Sequence, residues 1–305
     1  MRPARFRPLP SEPPALLRRP IRIVAHEIRL SFLFIRNDVW TTVIPASAFV
    51  LAAARYAGSA PVAVLVAFVQ GALYFWLFIY GFTLTNQLFG IEEDRINKPH
   101  RPLVSGRCGL RGARIRTAVV LVAFPLTGWW FGVAHWALLW EVVFLLNNVA
   151  RWERHWILKD LFIGIGVLAQ LAAAWEIVAP MNALSWRWVG TLAVAVLALI
   201  PIQDLRDIDG DRAVGRRTLV IAFGQRTTRY YLATGFLLLP VAVHLLLMSP
   251  SRSPVAPVWD VVVAATSWWI VARVITRRSR ADDRRSQRLF EQLYTLVLLS
   301  AIVVL

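Results

Sequence analysis

The chain has little charge, a single cysteine and almost no lysine. Charged residues make up 17% of its 305 residues, whereas 57% are apolar, and the mean hydropathy is +0.55. Globular proteins typically contain about 25% charged residues, so this composition excludes an ordinary soluble enzyme. Because Cys108 is the only cysteine, an intrachain disulfide and a cysteine-based metal cluster are excluded as well. Only Lys98 and Lys159 are lysines among the 34 basic residues, a bias that indicates a GC-rich genome.

Nine apolar stretches have about the length of membrane-spanning helices. A bilayer core of roughly 30 Å needs about 20 apolar residues per helix, and charges, proline or glycine bound each stretch. The sequence therefore predicts an all-α integral membrane protein with nine transmembrane helices. The predicted spans are Val39–Ala57, Pro61–Thr85, Ile115–Gly132, Ala134–Ala150, Leu161–Ala179, Trp188–Gln203, Tyr230–Met248, Val258–Ala272 and Leu289–Leu305.

The basic residues fall almost entirely on one side of these spans. Of the 34, 31 lie in the N-terminal segment or in alternate connections, and only Arg55, Arg187 and Arg252 belong to the other face. The positive-inside rule then places the N-terminus in the cytoplasm and the C-terminus outside. A girdle that faces lipid headgroups explains the formal net charge of +16, so nucleic acid is excluded as a partner.

The chain is predicted to divide into a short arm and one membrane domain. Residues 1–20 contain five arginines and six prolines and lack the apolar core of a signal peptide, which predicts a disordered basic cytoplasmic arm. The segment Ala15–Ile35 mixes basic with bulky apolar residues and predicts a helix on the membrane surface. Residues 21–305 are predicted to form a single transmembrane domain.

A first acidic cluster follows the second predicted span. At 100° per residue, Asn86 and Glu93 lie within about 20° of each other on a continuing helix, as do Gln87 and Asp94. Pro99 is expected to stop this helix, because the residue before a proline avoids the α region. Placing ionisable residues at membrane depth costs free energy, so we expect a carboxylate cluster beside an apolar span to be a functional site.

A second acidic cluster follows the sixth predicted span on the same, cytoplasmic face. Asp204, Asp207 and Asp211 are spaced i, i+3 and i+7 and share one helical face, whereas Asp209 points elsewhere. The carboxylates of both clusters and the Asn86 carbonyl, without histidine or thiolate, are oxygen ligands that suit Mg²⁺. The predicted metal ligands are Asn86, Glu93, Asp94, Asp204, Asp207 and Asp211.

Basic residues alternate with these acids. Carboxylates that bind a metal, beside cations that bind the remaining phosphate charge, are typical of a diphosphate site. The alternative is that both clusters are solvated loops in which the acids neutralise nearby arginines. This alternative explains the basic residues better than it explains two acidic stripes that each lie on one helical face. A later run, Asp282–Gln287, also mixes acids and arginines, and there we predict a solvated loop. The basic residues predicted to bind diphosphate are Lys98, Arg101, Arg206 and Arg212.

The two clusters resemble the two motifs of the UbiA superfamily of intramembrane prenyltransferases. One similarity covers Asn86–Pro102, and the other covers Asp204–Asp211 and continues through Gly215–Leu219. The resemblance extends over residues 20–305 and implies nine helices around a central hydrophobic chamber. It also implies two or more Mg²⁺ ions that bridge an isoprenyl diphosphate, and a contact between Lys159 and that diphosphate.

The first motif departs from the usual prenyltransferase pattern, in which aspartates stand where this chain has Gln87 and Gly90. The Asn86-Gln87 form and the segment Phe34–Pro45 are similar to the membrane-bound terpene cyclases of the superfamily. This resemblance implies a Mg²⁺-dependent cyclase that ionises an isoprenyl diphosphate and closes the cation on itself. Farnesyl diphosphate is the favoured substrate and geranylgeranyl diphosphate the second. The residues expected to carry catalysis are Asp94, Asp204, Asp207, Asp211 and Lys159.

Two other functions stay open. A prenyltransferase that moves the isoprenyl group to an aromatic or other small-molecule acceptor would use the same motifs, but it is expected to have the aspartates missing at positions 87 and 90. A membrane transporter would explain the spans, yet its charges should cluster near the bilayer midplane rather than at one face.

The 14 tryptophans and 16 phenylalanines offer walls for a cyclase chamber, which excludes water and stabilises cations against aromatic faces. Aromatic residues are also routine at membrane interfaces, and a buried asparagine also hydrogen-bonds neighbouring helices. No obligate protein partner is expected. The predicted location is the bacterial cytoplasmic membrane, with the site open to the cytoplasm. The candidate chamber residues are Asn147, Trp76, Trp152 and Trp156.

Overall fold

A computed structural model describes residues 15–305, with side chains from Pro20 onward, and all named secondary-structure elements of this part are helices. Residues 1–14 of the predicted arm lie outside the described residues. A 3₁₀ turn, Ile200–Gln203, precedes the helix that begins at Asp204, and a π-helical turn, His244–Met248, follows the helix that ends at Val243. The α-helices are α1 (Ala15–Ile35), α2 (Val43–Tyr56), α3 (Pro61–Phe89), α4 (Ile91–Asn97), α5 (Leu110–Trp130), α6 (Ala134–Asn148), α7 (Trp156–Glu176), α8 (Ala183–Leu199), α9 (Asp204–Ala213), α10 (Leu219–Phe223), α11 (Gln225–Val243), α12 (Ala256–Thr276) and α13 (Arg280–Val304).

Each predicted apolar span falls on one helix, namely α2, α3, α5, α6, α7, α8, α11, α12 and α13. Six helical segments of the described range are long and apolar enough to cross a membrane by length and composition: α3, α7, α8 with its continuation to Ala213, α11, α12 and α13. By contrast, α2 and α6 have 14 and 15 residues, and α5 begins with an arginine-rich turn. Nine spans and a cytoplasmic N-terminus therefore stay predictions.

Helices that are consecutive among the apolar nine pack side by side, and the last one returns to the first. The contacts run from α2 through α3, α5, α6, α7, α8, α11 and α12 to α13, and α13 packs against α2. Small residues allow some of these approaches. A Cβ atom on Gly166 of α7 would lie 2.5 Å from the Trp140 ring of α6, so only glycine fits there.

Aromatic side chains fill the space between α3, α6 and α7. The Trp140 ring stacks on Phe78 with ring centroids 4.5 Å apart and on Phe162 with centroids 5.2 Å apart. Its indole N–H donates to the Phe78 carbonyl oxygen (2.9 Å), so the polar end of the ring is paired as well. This packing supports the end of α3 from which the first acidic cluster extends.

A buried ion pair joins α11 to the start of α13. Arg229 binds both carboxylate oxygens of Asp283 (2.9 and 2.8 Å) and donates to the carbonyl oxygens of Val274 and Arg277 at the end of α12. Both side chains are at most 5% exposed. The prediction of a solvated loop at Asp282–Gln287 is therefore wrong. That segment is the first part of α13, and Arg229, 54 residues earlier, supplies the countercharge.

Replacement of Arg229 by leucine is expected to lower the free energy of unfolding in detergent by about 3 kcal/mol, because it leaves a buried carboxylate and two carbonyls unpaired. Thermal unfolding followed by circular dichroism measures the loss. The control is Arg226→Leu, which removes an exposed arginine from the same helix. Equal stability of the two variants would contradict a structural role for the Arg229–Asp283 pair.

Candidate functional site

The first cluster lies where α3 ends and the short helix α4 begins. Gly90 separates the two helices, and a Cβ atom there would lie 2.8 Å from the Asn86 carbonyl oxygen. The expectation of one helix continuing through Glu93 and Asp94 is therefore wrong, because the backbone breaks at Gly90. The predicted stop before Pro99 is confirmed, since α4 ends at Asn97.

Arg101 binds two residues of the first cluster at once. Its Nη1 donates to both carboxylate oxygens of Asp94 (2.8 Å each) and to Asn86 Oδ1 (2.9 Å). Burial raises the pKa of Asp94, and the charge of Arg101 opposes this rise. Burial and the neighbouring Arg101 lower the pKa of Lys98, while Glu93 and Asp207 act in the opposite direction. Lys98 therefore interacts electrostatically with carboxylates of both clusters.

The second cluster forms helix α9. Asp204 and Asp211 are buried and Asp207 is half-buried, whereas Asp209 is exposed, which confirms that Asp209 points away from the other three. Lys159, in the first turn of α7, forms an ion pair with Asp204. Arg206 pairs with its neighbour Asp207 at 3.2 Å. The remaining predicted diphosphate ligand, Arg212, is exposed on the same helix.

Arg216 joins the two clusters. Its guanidinium contacts Glu93 at 2.7 and 2.8 Å and Asp211 at 3.4 Å. Glu153 lies 4.0 Å away on a third segment. The preceding Gly215 has φ +70°, a left-handed conformation that favours glycine and turns the chain back toward α4 after α9. Arg216 lies in the segment Gly215–Leu219 of the second motif and among the basic residues that alternate with the acids, although it is not one of the predicted diphosphate ligands.

Helices α4 and α9 touch at a glycine. A Cβ atom on Gly210 would lie 1.9 Å from Asn97 Nδ2 and 2.5 Å from Asn97 Cγ, so a larger residue would have to displace the Asn97 side chain. Asn97 Nδ2 is buried, and Asn97 Oδ1 accepts a hydrogen bond from Arg280 at 3.2 Å, which restrains that movement. Gly210 thus allows the two acidic clusters to approach each other.

Asp38 is a carboxylate of this site that was absent from the predicted ligands. It lies in the turn between α1 and α2. Burial raises its pKa, and the charges of Arg101, Lys98 and Arg206 oppose the rise. Those three residues come from the two clusters, so the Asp38 carboxylate interacts electrostatically with both. The signal was its position within the segment that carries the family resemblance.

The candidate chamber residues occupy different surroundings. Trp76 donates to Ser31 Oγ (3.2 Å) and stacks on Phe32, so it lies between α3 and α1. Trp156 packs edge-on against Phe223 with centroids 5.4 Å apart. Trp152 is half-buried in a short 3₁₀ turn. Asn147, which is 3% exposed, donates to Asn148 Oδ1 at 3.0 Å and lies beside the first cluster.

The oxygen donors of the site suit Mg²⁺ that is shared with a diphosphate. Within residues 15–305, no three carboxylate, imidazole or thiol groups converge tightly enough to enclose a metal ion by themselves. Asp94, Asp204 and Glu93 each face a basic side chain instead. Mg²⁺ commonly uses one or two carboxylates and takes phosphate oxygens and water for the rest. Several buried side-chain oxygens accept no hydrogen bond from the described residues, among them Asp204 Oδ2, Gln87 Oε1 and Asn147 Oδ1.

Comparisons with known proteins show the family of the chain. The profile of the UbiA prenyltransferase family matches residues 42–295. The chain is 53% identical to Somaliensene A/B synthase of Streptomyces somaliensis, over 93% of this chain and 95% of that protein. It is 31% identical to the diterpene cyclase eriG of Hericium erinaceus, over 90% of this chain and 88% of that protein.

A solved structure shows the same fold. The chain superposes on a UbiA homolog from Archaeoglobus fulgidus bound to GPP and Mg²⁺ with a TM-score of 0.66. The sequence identity is 14%, and the superposition covers 90% of this chain and 99% of that protein.

Replacement of Gly210 by alanine is expected to lower turnover at least tenfold, because the added methyl group displaces Asn97 and separates α4 from α9. The double variant Asn97→Ala, Gly210→Ala removes the clashing side chain and should be more active than Gly210→Ala alone. Initial rates of diphosphate release from an isoprenyl diphosphate measure both. Additive losses in the double variant would contradict a steric cause at this contact.

Proposed function

Since the chain belongs to the UbiA prenyltransferase family and is an integral multi-pass membrane protein, we propose that it is a terpene cyclase acting on an isoprenyl diphosphate. The observation that carries the proposal is the joining of two acidic clusters, through Arg216, into one site lined with basic side chains. The 53% identity to a Streptomyces terpene synthase supports cyclisation as the outcome.

The proposed metal ligands are Asn86, Glu93, Asp94, Asp204, Asp207 and Asp211, of which Glu93 also pairs with Arg216. Mg²⁺ bound there would stabilise the negative charge that develops on the departing diphosphate. A UbiA homolog of the same fold is bound to GPP and Mg²⁺, which supports this assignment. We propose two or more ions, because the ligands come from two separate acidic clusters, on α3 and α4 and on α9.

The basic side chains of the site bind and orient the diphosphate. Lys159, Arg101 and Arg216 each pair with a carboxylate of the two clusters, so each is held where the phosphate oxygens would lie. Positive charge placed at the leaving group favours its departure, because the carbon–oxygen bond breaks with both electrons going to the diphosphate oxygen. Lys98, Arg206 and Arg212 complete the proposed cationic set.

The isoprenyl tail is proposed to lie among the aromatic residues on the membrane side of the site. Phe82, one turn before Asn86, has its ring 5.3 Å from Phe162 and 5.8 Å from Trp140. Such faces stabilise carbocations and exclude water. A double bond of the chain then attacks the allylic cation to form a carbon–carbon bond. Loss of a proton yields a cyclic hydrocarbon and hydrogen diphosphate.

Transfer of the isoprenyl group to a small-molecule acceptor is the alternative. The family name supports it, since prenyltransferases share the site. Against it stand the residues at two positions of the first motif, Gln87 and Gly90, where the aspartates expected of a prenyltransferase are missing. A transporter is less well supported, because the paired charges of both clusters lie at helix ends rather than along the spans. The proposed location is the bacterial cytoplasmic membrane, with the site facing the cytoplasm.

Incubation of the purified protein with Mg²⁺ and one isoprenyl diphosphate, without an acceptor, is expected to give a cyclic terpene. Farnesyl diphosphate is the first substrate to test. Geranylgeranyl diphosphate is the second, since one relative is a diterpene cyclase. Gas chromatography with mass spectrometry of a hexane extract identifies the product. Unchanged diphosphate with every chain length, combined with product formation once an aromatic acceptor is added, would identify a prenyltransferase instead.

Asp94→Ala and Asp204→Ala are each expected to lower turnover by at least a hundredfold, because each removes a buried carboxylate from the proposed metal site. The matched controls are Glu92→Ala and Asp209→Ala, which remove exposed carboxylates from the same two helices and should keep most of the activity. EDTA should stop the wild-type reaction, and added Mg²⁺ should restore it. Turnover that resists EDTA, or equal loss in test and control variants, would contradict the proposed site.

A further inference from the structure

A chain of buried amide and hydroxyl groups leads from helix α6 into the first cluster. Asn148, which is 4% exposed, donates through Nδ2 to Thr85 Oγ1 at 2.7 Å. Its Oδ1 accepts from Asn147 Nδ2 at 3.0 Å and from Asn86 Nδ2 at 3.5 Å. Asn86 Oδ1 in turn accepts from Arg101 at 2.9 Å. Neither Thr85 nor Asn148 belongs to the predicted site.

Thr85 determines the direction of this chain of hydrogen bonds. Its hydroxyl lies 3.0 Å from the Gly81 carbonyl oxygen and 2.9 Å from the Phe82 carbonyl oxygen, one turn back on the same helix. A hydroxyl has one proton, and here the helix carbonyls take it. The oxygen of Thr85 is then left as an acceptor, so the side chain facing it from Asn148 must be the NH₂ group.

The orientation of Asn148 then decides the orientation of Asn86. With its NH₂ group on Thr85, Asn148 presents its oxygen to α3, and only an NH₂ group can donate to that oxygen. Asn86 therefore turns its nitrogen toward α6 and its oxygen toward Arg101 and Asp94. An amide flipped by 180° would place two NH₂ protons against the Arg101 guanidinium and offer no ligand oxygen.

We propose that Asn148 is a positioning residue that, anchored by Thr85, keeps the Asn86 amide oxygen facing the metal–diphosphate site. The inference rests on the proposed function, since it assigns a partner to one of the proposed metal ligands. Groups that orient a metal ligand without touching the metal typically contribute 10–100-fold to metal affinity. Asn148 lies on α6, outside both acidic clusters, so no motif in the sequence pointed to this role.

The test measures metal binding directly as well as turnover. Mn²⁺ binding to the detergent-solubilised protein, in the presence of inorganic pyrophosphate, is followed by electron paramagnetic resonance. Asn148→Leu should weaken Mn²⁺ binding about tenfold or more and raise the Mg²⁺ concentration for half-maximal turnover by a similar factor. Thr85→Val, which removes the anchoring hydroxyl, should shift both quantities in the same direction. Thr85→Ser keeps the hydroxyl and should restore both toward wild type.

The matched control is Gln170→Leu. Gln170 is 3% exposed and donates to the Thr42 carbonyl oxygen at 2.8 Å, so its loss removes an equally buried amide without touching the first cluster. It should lower thermal stability and leave Mn²⁺ binding unchanged. Wild-type Mn²⁺ binding by folded Asn148→Leu or Thr85→Val would overturn this inference alone. Absence of Mn²⁺ and pyrophosphate binding by the wild type would overturn the proposed metal site and the inference with it.

Discussion

The contact of Arg216 with Glu93 and Asp211 is the interaction on which the candidate site depends. The two acidic clusters are separated by more than 100 residues, and like charges brought together from two helices would repel each other. A single guanidinium between them compensates this repulsion. Because burial of a charge is costly without a partner, every buried acid of the site has a basic neighbour. The site thus contains both negative and positive side chains. This combination suits a complex of a negatively charged diphosphate with positively charged metal ions.

Backbone breaks place these side chains. The chain leaves α3 at Gly90 and passes from α8 to α9 through a 3₁₀ turn, and α4 and α9 contact each other. Gly210 allows close contact between α9 and α4, and the left-handed conformation of Gly215 directs the following residue, Arg216, toward α4. On the apolar side of the site, the aromatic rings around Trp140 hold α3, α6 and α7 together. Helices α3 and α7 therefore carry both charged or polar residues of the site and aromatic residues. The proposed substrate would contact the former with its diphosphate and the latter with its isoprenyl tail.

Much of this arrangement could be predicted from local sequence. Apolar stretches indicated the helices, Pro99 indicated the end of α4, and helical spacing separated Asp209 from its three neighbours. The rest depends on contacts between distant segments. The burial of Asp283 depends on Arg229 of another helix, and the role of Arg216 depends on Glu93. The interruption of the helix at Gly90 and the contact of α4 with α9 are likewise absent from helical periodicity alone.

The most direct measurement is a structure of the protein with Mg²⁺ and a thio analogue of an isoprenyl diphosphate that ionises slowly. The account predicts metal density between the end of α3 and α9, with Asp94 and Asp204 each within ligand distance of an ion. It also predicts Arg216 or Lys159 on the diphosphate and the isoprenyl tail against the rings of α3 and α7. A diphosphate bound away from both clusters, or bound without contact to either aspartate, would contradict the account.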